Sequence, residues 1–143
     1  MSDLNRFLVA QEQSYAGALA ELNSGQKTTH WIWYIFPQLK DLGRSPTAKH
    51  FGLNGMVEAR DYIAHPLLGL RYRECCKALL LHRDEPVEAI MGGWVDKQKL
   101  RSSLTLMTAA GVGDVAELCL KLFYSDVRCD LTERILKGSP EGD

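Results

Sequence analysis

Between His30 and Gln38 the chain reads His30-Trp31-Ile32-Trp33-Tyr34-Ile35-Phe36-Pro37-Gln38, and no other stretch constrains the fold as much. The run carries two of the three tryptophans together with two isoleucines, a tyrosine and a phenylalanine. Side chains of that bulk have to be covered by the rest of the chain. Strict alternation is absent and Pro37 ends the run, so it reads as a buried extended segment or one irregular turn. From Trp31 to Phe36 it is far too short to cross a bilayer. The covering elements must therefore come from elsewhere in the sequence, and their periodicity is helical.

Asp3 is placed to cap a first helix running to about Leu22, with Gly25 just past its end. Leu4, Leu8, Gln11, Tyr15, Ala18 and Leu22 fall on one stripe of it. Asp41 to Pro46 reads as a loop. A short helix follows from about Thr47 or Asn54 to Ala64. Pro66 suits the first position of the next, which runs to about His82 and buries Leu68, Tyr72, Cys75 and Leu79. A short helix spans about Glu85 to Met91. Asp96 is a plausible cap for one from Lys97 to Ala110, with Leu100, Leu104 and Met107 as its buried face. Asp114 starts another, and Asp130 to Glu133 has capping-box spacing for the last. The expectation is a mainly α fold: a single compact multi-helix domain over residues 1–138 with one short extended aromatic segment, and a frayed tail over 139–143.

Composition narrows the function classes. A chain of 143 residues with a formal net charge of −1 has no global field to steer it to nucleic acid or an anionic membrane, so any anion site must be local. No charged leader with an apolar stretch precedes the first helix, which points to a cytoplasmic protein. Cys75 and Cys76 diverge on a helix, and Cys119 and Cys129 lack C-x-x-C spacing, so four reduced packing cysteines are expected. No metal-binding, dinucleotide, P-loop or nucleophile-elbow motif is present, and neither a cofactor nor a metal is expected. The sequence sets no oligomeric state.

Several polar residues stand where chemistry is feasible. Gln11 sits inside an apolar stripe and needs hydrogen-bond partners there, as a structural tether or a ligand contact. His30, at the edge of an aromatic wall, is the best general-base candidate, with Asp96 as its partner. At most one of Trp31 and Trp33 would line a pocket if the segment is extended. The run from Asp96 to Ser103 opens a helix with Lys97, Lys99 and Arg101 nearby, a place for a phosphate or carboxylate. Arg71 flanks a buried face and would pair with a carboxylate such as Asp96 or with a ligand. His65, before Pro66, reads as a helix cap.

The same residues carry a family resemblance. Phe7, Ala10-Gln11 and Tyr15, the His30–Gln38 run, Leu42-Gly43-Arg44-Ser45, Glu58-Ala59, His65-Pro66-Leu67-Leu68-Gly69 and Lys99-Leu100-Arg101-Ser102-Ser103-Leu104-Thr105 resemble the bacterial family called domain of unknown function 1810. The resemblance covers nearly the whole chain and implies a mainly helical fold with no established activity. Some members are labelled calpastatin-like, but nothing in this sequence supports a protease-inhibitor reading. More weakly, Pro46-Thr47-Ala48-Lys49-His50-Phe51, Ala64-His65-Pro66-Leu67-Leu68 and Gly93-Trp94 are similar in order and spacing to the NADAR (YbiA-like) domains. Those are helical N-glycosidases acting on nucleotide-derived or ADP-ribosylated substrates. Their motif reads Pro-Thr-Ser-Glu-His-Tyr, and its glutamate position is Lys49 here, a cation that cannot stabilise an oxocarbenium-like transition state.

The leading expectation is a pocket for a small anionic or nucleotide-like ligand, in its finer form that of a hydrolase related to the NADAR N-glycosidases, lined by Gln11, Tyr15, Trp31 or Trp33, Arg71, Lys97, Lys99, Arg101 and Ser103. The alternative is a non-catalytic protein-interaction domain. Convergence of His30, Gln11 and Asp96 in one concave site would favour the first; scattered or backbone-satisfied side chains would favour the second.

Overall fold

A computed structural model describes residues 3–138, which form nine α-helices and one 3-10 turn. The expected tail at 139–143 lies outside the described residues. The first helix, α1 (Asn5–Ser24), buries Phe7, Gln11, Ala18 and Leu22 and ends at Gly25, whose φ of +83° suits a residue without a Cβ. Asp3 acts one position outside the cap: its Oδ1 accepts from the backbone N–H of Asn5.

The aromatic run curls into a single helical turn, α2 (Ile32–Ile35), the irregular-turn alternative of the two open from sequence. Trp31, Ile32, Ile35 and Phe36 enter the core, while Trp33 and Tyr34 stay half-buried. Beyond it, the single helix expected up to Ala64 is two, α3 (Pro46–Phe51) and α4 (Met56–Ala64). The break is needed because Leu53 pairs with Leu39 in an isolated parallel bridge. Next, α5 (Pro66–Leu80) stops two residues short of the expected His82. Its cap is His65, whose Nδ1 accepts from the N–H groups of Leu67 and Leu68 at 3.1 and 3.2 Å.

After α6 (Val87–Met91), helix α7 (Trp94–Ala110) begins three residues before the expected Lys97. Gly93 holds the cap position, and Asp96 lies inside the first turn, where a negative charge favours the helix start without capping it. Every residue from Ser102 to Met107 is buried, because α7 packs against α2, α4, α6, α8 and α9. Three hydroxyls on this central helix are satisfied locally or across it, while that of Thr108 is buried without a partner among the described residues. Ser102 Oγ donates to the Gln98 carbonyl and Thr105 Oγ1 to that of Arg101. Ser103 Oγ shares a 2.9 Å bond with Tyr72 OH. The last helices are α8 (Asp114–Tyr124), with Gly113 at the cap position expected for Asp114, and α9 (Asp130–Gly138). Asp130 is the first residue of α9 and pairs with Arg134 instead of closing a capping box.

The architecture is an all-α assembly without strands among the described residues, and none of its helices is long and apolar enough to cross a membrane. All four cysteines are free and buried.

Candidate functional site

The chain from Gln38 to Leu53 forms a closed hoop, and the hoop displays three cationic side chains, Lys40, Arg44 and Lys49. Its ends are tied by Lys40 N–H to the Leu53 carbonyl at 2.8 Å and by Leu53 N–H to the Gln38 carbonyl at 3.0 Å. Inside it run the 3-10 turn Lys40–Leu42, an extended Gly43-Arg44-Ser45 and helix α3, capped by Ser45 Oγ accepting from Ala48 N–H. The hoop leaves no room for a side chain at two of its glycines. A Cβ at Gly52 would lie 2.3 Å from the Cα of Lys40, and one at Gly43 would lie 2.8 Å from the Cβ of Ala48. Arg6 clamps the base by donating to the Gly52 carbonyl and to the buried carboxylate of Glu58, which also accepts from Asn54 N–H.

Two clefts flank this loop. The larger, about 800 Å³, lies between the hoop residues Lys40, Asp41, Leu42, Gly43, Arg44 and Lys49 and the side chains of Leu131 and Ile135 on α9. The smaller, about 280 Å³, is bounded by Gln38, Leu42, Gly43, Arg44, Ser45, Ala48 and Lys99 of α7. Leu42, Gly43 and Arg44 belong to both, so the clefts adjoin along that segment. The side chains of Lys40, Arg44 and Lys49 have no ion-pair partner among the described residues. Asp41 is the one carboxylate of the lining. Lys99 Nζ lies 5.3 Å from the centre of the Trp33 ring, which helps hold its ammonium beside the smaller cleft. Such a surface can bind an anion; it sets no nucleophile beside a base.

Comparison with known proteins decides the family. Residues 1–136 match the family described as protein of unknown function, DUF1810. The chain belongs to that family. Among solved structures it is similar to the crystal structure of the conserved hypothetical protein Rv1873 from Mycobacterium tuberculosis, with 36% identity and a TM-score of 0.93, covering 96% of this chain and 98% of that one. No curated protein matches. The likeness to NADAR domains rests on the sequence segments alone.

The DUF1810 segments meet at the hoop: the end of the His30–Gln38 run, Leu42 to Ser45, and Lys99. The other candidates read from the sequence occupy three separate settings. Gln11, Tyr15 and Arg71 do come together, in a polar knot. Gln11 Nε2 donates to the Tyr34 carbonyl at 2.7 Å and to Tyr62 OH at 3.1 Å, and its Oε1 accepts from Arg71 at 3.4 Å. The Arg71 guanidinium stacks 4.6 Å over the Tyr15 ring, and Tyr15 OH donates to Glu74. Burial first, and then Cys75 and Glu74, push the Tyr15 hydroxyl well above its ordinary range. The buried Gln11 is thus satisfied as a tether between α1, α2 and α4.

A second setting surrounds Trp31. The Lys27 ammonium, 8% exposed with its side chain folded inward, pairs with Asp96 at 2.8 Å, donates to the Thr29 carbonyl and stands 4.9 Å from the Trp31 ring. The partner of Asp96 is therefore Lys27, not Arg71. His30 is exposed, and Asp96 is held by its lysine. In the third, Ser103 is inside the core with Tyr72, the Lys97 carbonyl accepts from Tyr124 OH, and the Nε of Arg101 is buried without a partner among the described residues. Of the expected residues only Lys99 lines the clefts; His30, Gln11 and Asp96 line neither and do not converge in one concave site, the scatter expected of the interaction-domain reading, so the pocket expected around them is not formed. Gln38, Lys40, Arg44 and Lys49 were missed as site residues. Their one sequence signal was three cations in ten residues around the glycine of a loop.

Proposed function

We propose that this protein binds a small anionic ligand in the paired clefts around Arg44, without hydrolysing it. The observation that carries the reading is the display of Lys40, Arg44 and Lys49 on one closed hoop, with Lys99 reaching the adjoining smaller cleft from α7. Holding like charges together without acidic partners costs stability, and an anion would relieve that repulsion. A guanidinium on such a loop is suited to bidentate contact with phosphate or carboxylate. The chemistry of the lining favours binding over catalysis. Lys49 stands at the position that carries a glutamate in the NADAR motif, so that motif's carboxylate is replaced by a cation in the larger cleft, whose one carboxylate is Asp41 of the 3-10 turn.

The interaction-domain reading draws on Trp94 and Val95, 61% and 59% exposed at the start of α7. Two neighbouring apolar side chains make a small patch, and scattered exposed hydrophobics are ordinary on a soluble surface. The cleft supports the more specific reading.

A thermal-shift panel of phosphate, pyrophosphate, nucleotides and sugar phosphates tests it. At least one of these anions should raise the unfolding midpoint in a concentration-dependent way, by about 3 kcal/mol of stabilisation at a hundredfold excess over Kd. Arg44→Gln should abolish the shift while its ligand-free midpoint stays within 2 °C or so of wild type, as expected for an exposed side chain. If no anion stabilises the wild type, or Arg44→Gln responds as wild type does, the reading fails.

A further inference from the structure

We propose that the ligand is an organic bisphosphate, one carbon skeleton carrying two separated phosphate groups, a reading that rests on the anion-binding assignment above. The two clefts divide the cations. Lys99 and the Gln38 amide belong to the smaller one alone, Lys40 and Lys49 to the larger one alone, and Arg44 lies on the segment common to both. Two phosphates joined by a carbon chain can sit on either side of Arg44 and engage both sets.

The charge balance selects phosphate over carboxylate. Four cations face the single carboxylate of Asp41, an excess of three positive charges over the paired clefts. Two phosphate monoesters bring about three to four negative charges near neutral pH, while two carboxylates bring only about two. Shape points the same way. The smaller cleft, about 280 Å³, has room for a phosphate and part of its carbon skeleton, and the larger, about 800 Å³, is within the usual range for a whole small-molecule site. The larger cleft also has an apolar wall. Leu131 is 57% exposed and faces the cleft with Ile135, offering a carbon skeleton a surface that inorganic pyrophosphate would not use. The Gln38–Leu53 closure holds Gln38, Lys40, Arg44 and Lys49 on one loop, and α7 brings Lys99 to its edge, so part of the cationic set is organised before a ligand arrives.

Isothermal titration of the full chain with inorganic phosphate, pyrophosphate, glucose 6-phosphate and fructose 1,6-bisphosphate, at one ionic strength, tests this. Fructose 1,6-bisphosphate should bind about a hundredfold more tightly than glucose 6-phosphate, and Lys99→Gln or the Lys40→Gln/Lys49→Gln double variant should each remove about tenfold of that affinity. Leu131→Ser with Ile135→Ser should weaken fructose 1,6-bisphosphate and leave pyrophosphate unchanged. Thermal melts of each variant show that the fold is kept. Equal affinity for mono- and bisphosphate, with only one lysine set responding, overturns the bisphosphate assignment and leaves the anion site standing. The same follows if pyrophosphate binds most tightly and is indifferent to the α9 pair. Silence from every anion overturns both.

Discussion

Gly69→Ala is expected to lower the thermal unfolding midpoint by about 10 °C, corresponding to a loss of about 3 kcal/mol. Gly69 lies in the first turns of α5, where the chain has just reversed from α4 at His65-Pro66. A Cβ there would stand 2.1 Å from the carbonyl oxygen of Ile63 and 3.1 Å from its carbon, and also 2.9 Å from Arg73 Nη1. The arginine can swing away. The Ile63 backbone cannot, because it closes a helix whose Tyr62 and Ile63 side chains are in the core. The corner between α4 and α5 would have to open by roughly an ångström, and interiors at crystal-like density resist such shifts. Gly17→Ala is the control, since Gly17 lies in α1 with nothing within 4 Å of an added Cβ. That change should stabilise by about 0.5–1 kcal/mol through helix propensity. Equal effects from the two substitutions in a differential scanning experiment would remove the packing explanation.

Glu21→Ala is expected to cost about 3 kcal/mol, because one carboxylate organises the entry to the aromatic turn. It accepts from the N–H groups of Thr28 and Thr29 at 2.7 and 3.0 Å, from Thr29 Oγ1 at 2.5 Å and from Trp31 Nε1 at 3.0 Å. Trp31 is 2% exposed, so losing this acceptor strands an indole N–H inside the protein. Burial alone would raise the Glu21 carboxyl, but the bonds from Thr29, Thr28 and Trp31 outweigh it and hold it at about 2, below an ordinary value of 4.5. A carboxyl lowered in the folded state stabilises it fully above the unfolded value, and that contribution fades as pH falls from about 4.5 toward 2. Allowing for solvent screening, the pH-dependent part is about 1–2 kcal/mol. Glu21→Gln should therefore be less stable than wild type at pH 7 and approach it near pH 2. Urea titrations across that window would contradict the account if the gap stayed constant.

The helices were legible because their stripes are local: Gln11, Ala18 and Leu22 on α1, or Leu68, Tyr72 and Leu79 on α5, repeat within a few residues. Their starts were less so. Gly93 and Gly113 take cap positions at positive φ, displacing Asp96 and Asp114 into the first turn, and a side-chain preference could not foresee that backbone choice. The burial of Ser103 and Thr105 was hidden as well. Their polarity suggests an exposed edge, yet Tyr72 and the carbonyl of Arg101 satisfy them inside a surrounded helix. The Trp31–Trp33 question resolved once the run formed a turn, sending Trp31 inward to Glu21 and leaving Trp33 beside Lys99. The cleft was the hardest to see. Lys99 is fifty residues or more from the rest of the cationic set; the Leu39–Leu53 closure gathers the others, and the packing of α7 on α2, with Lys99 beside Trp33, brings it to them, contacts with no periodic trace. The cationic surface lies away from the polar residues that the sequence singled out, Lys99 excepted.

The most direct test of an anion site at this surface is a two-dimensional amide NMR titration of the full chain with fructose 1,6-bisphosphate at constant ionic strength. An anion seated in the paired clefts should shift the amides of Lys40, Gly43, Arg44, Ser45 and Lys99 in a saturable way, and leave those of Gln11, His30 and Asp96 in place. Saturable shifts centred on Gln11, His30 or Asp96, with the Gln38–Leu53 hoop silent, would contradict the account.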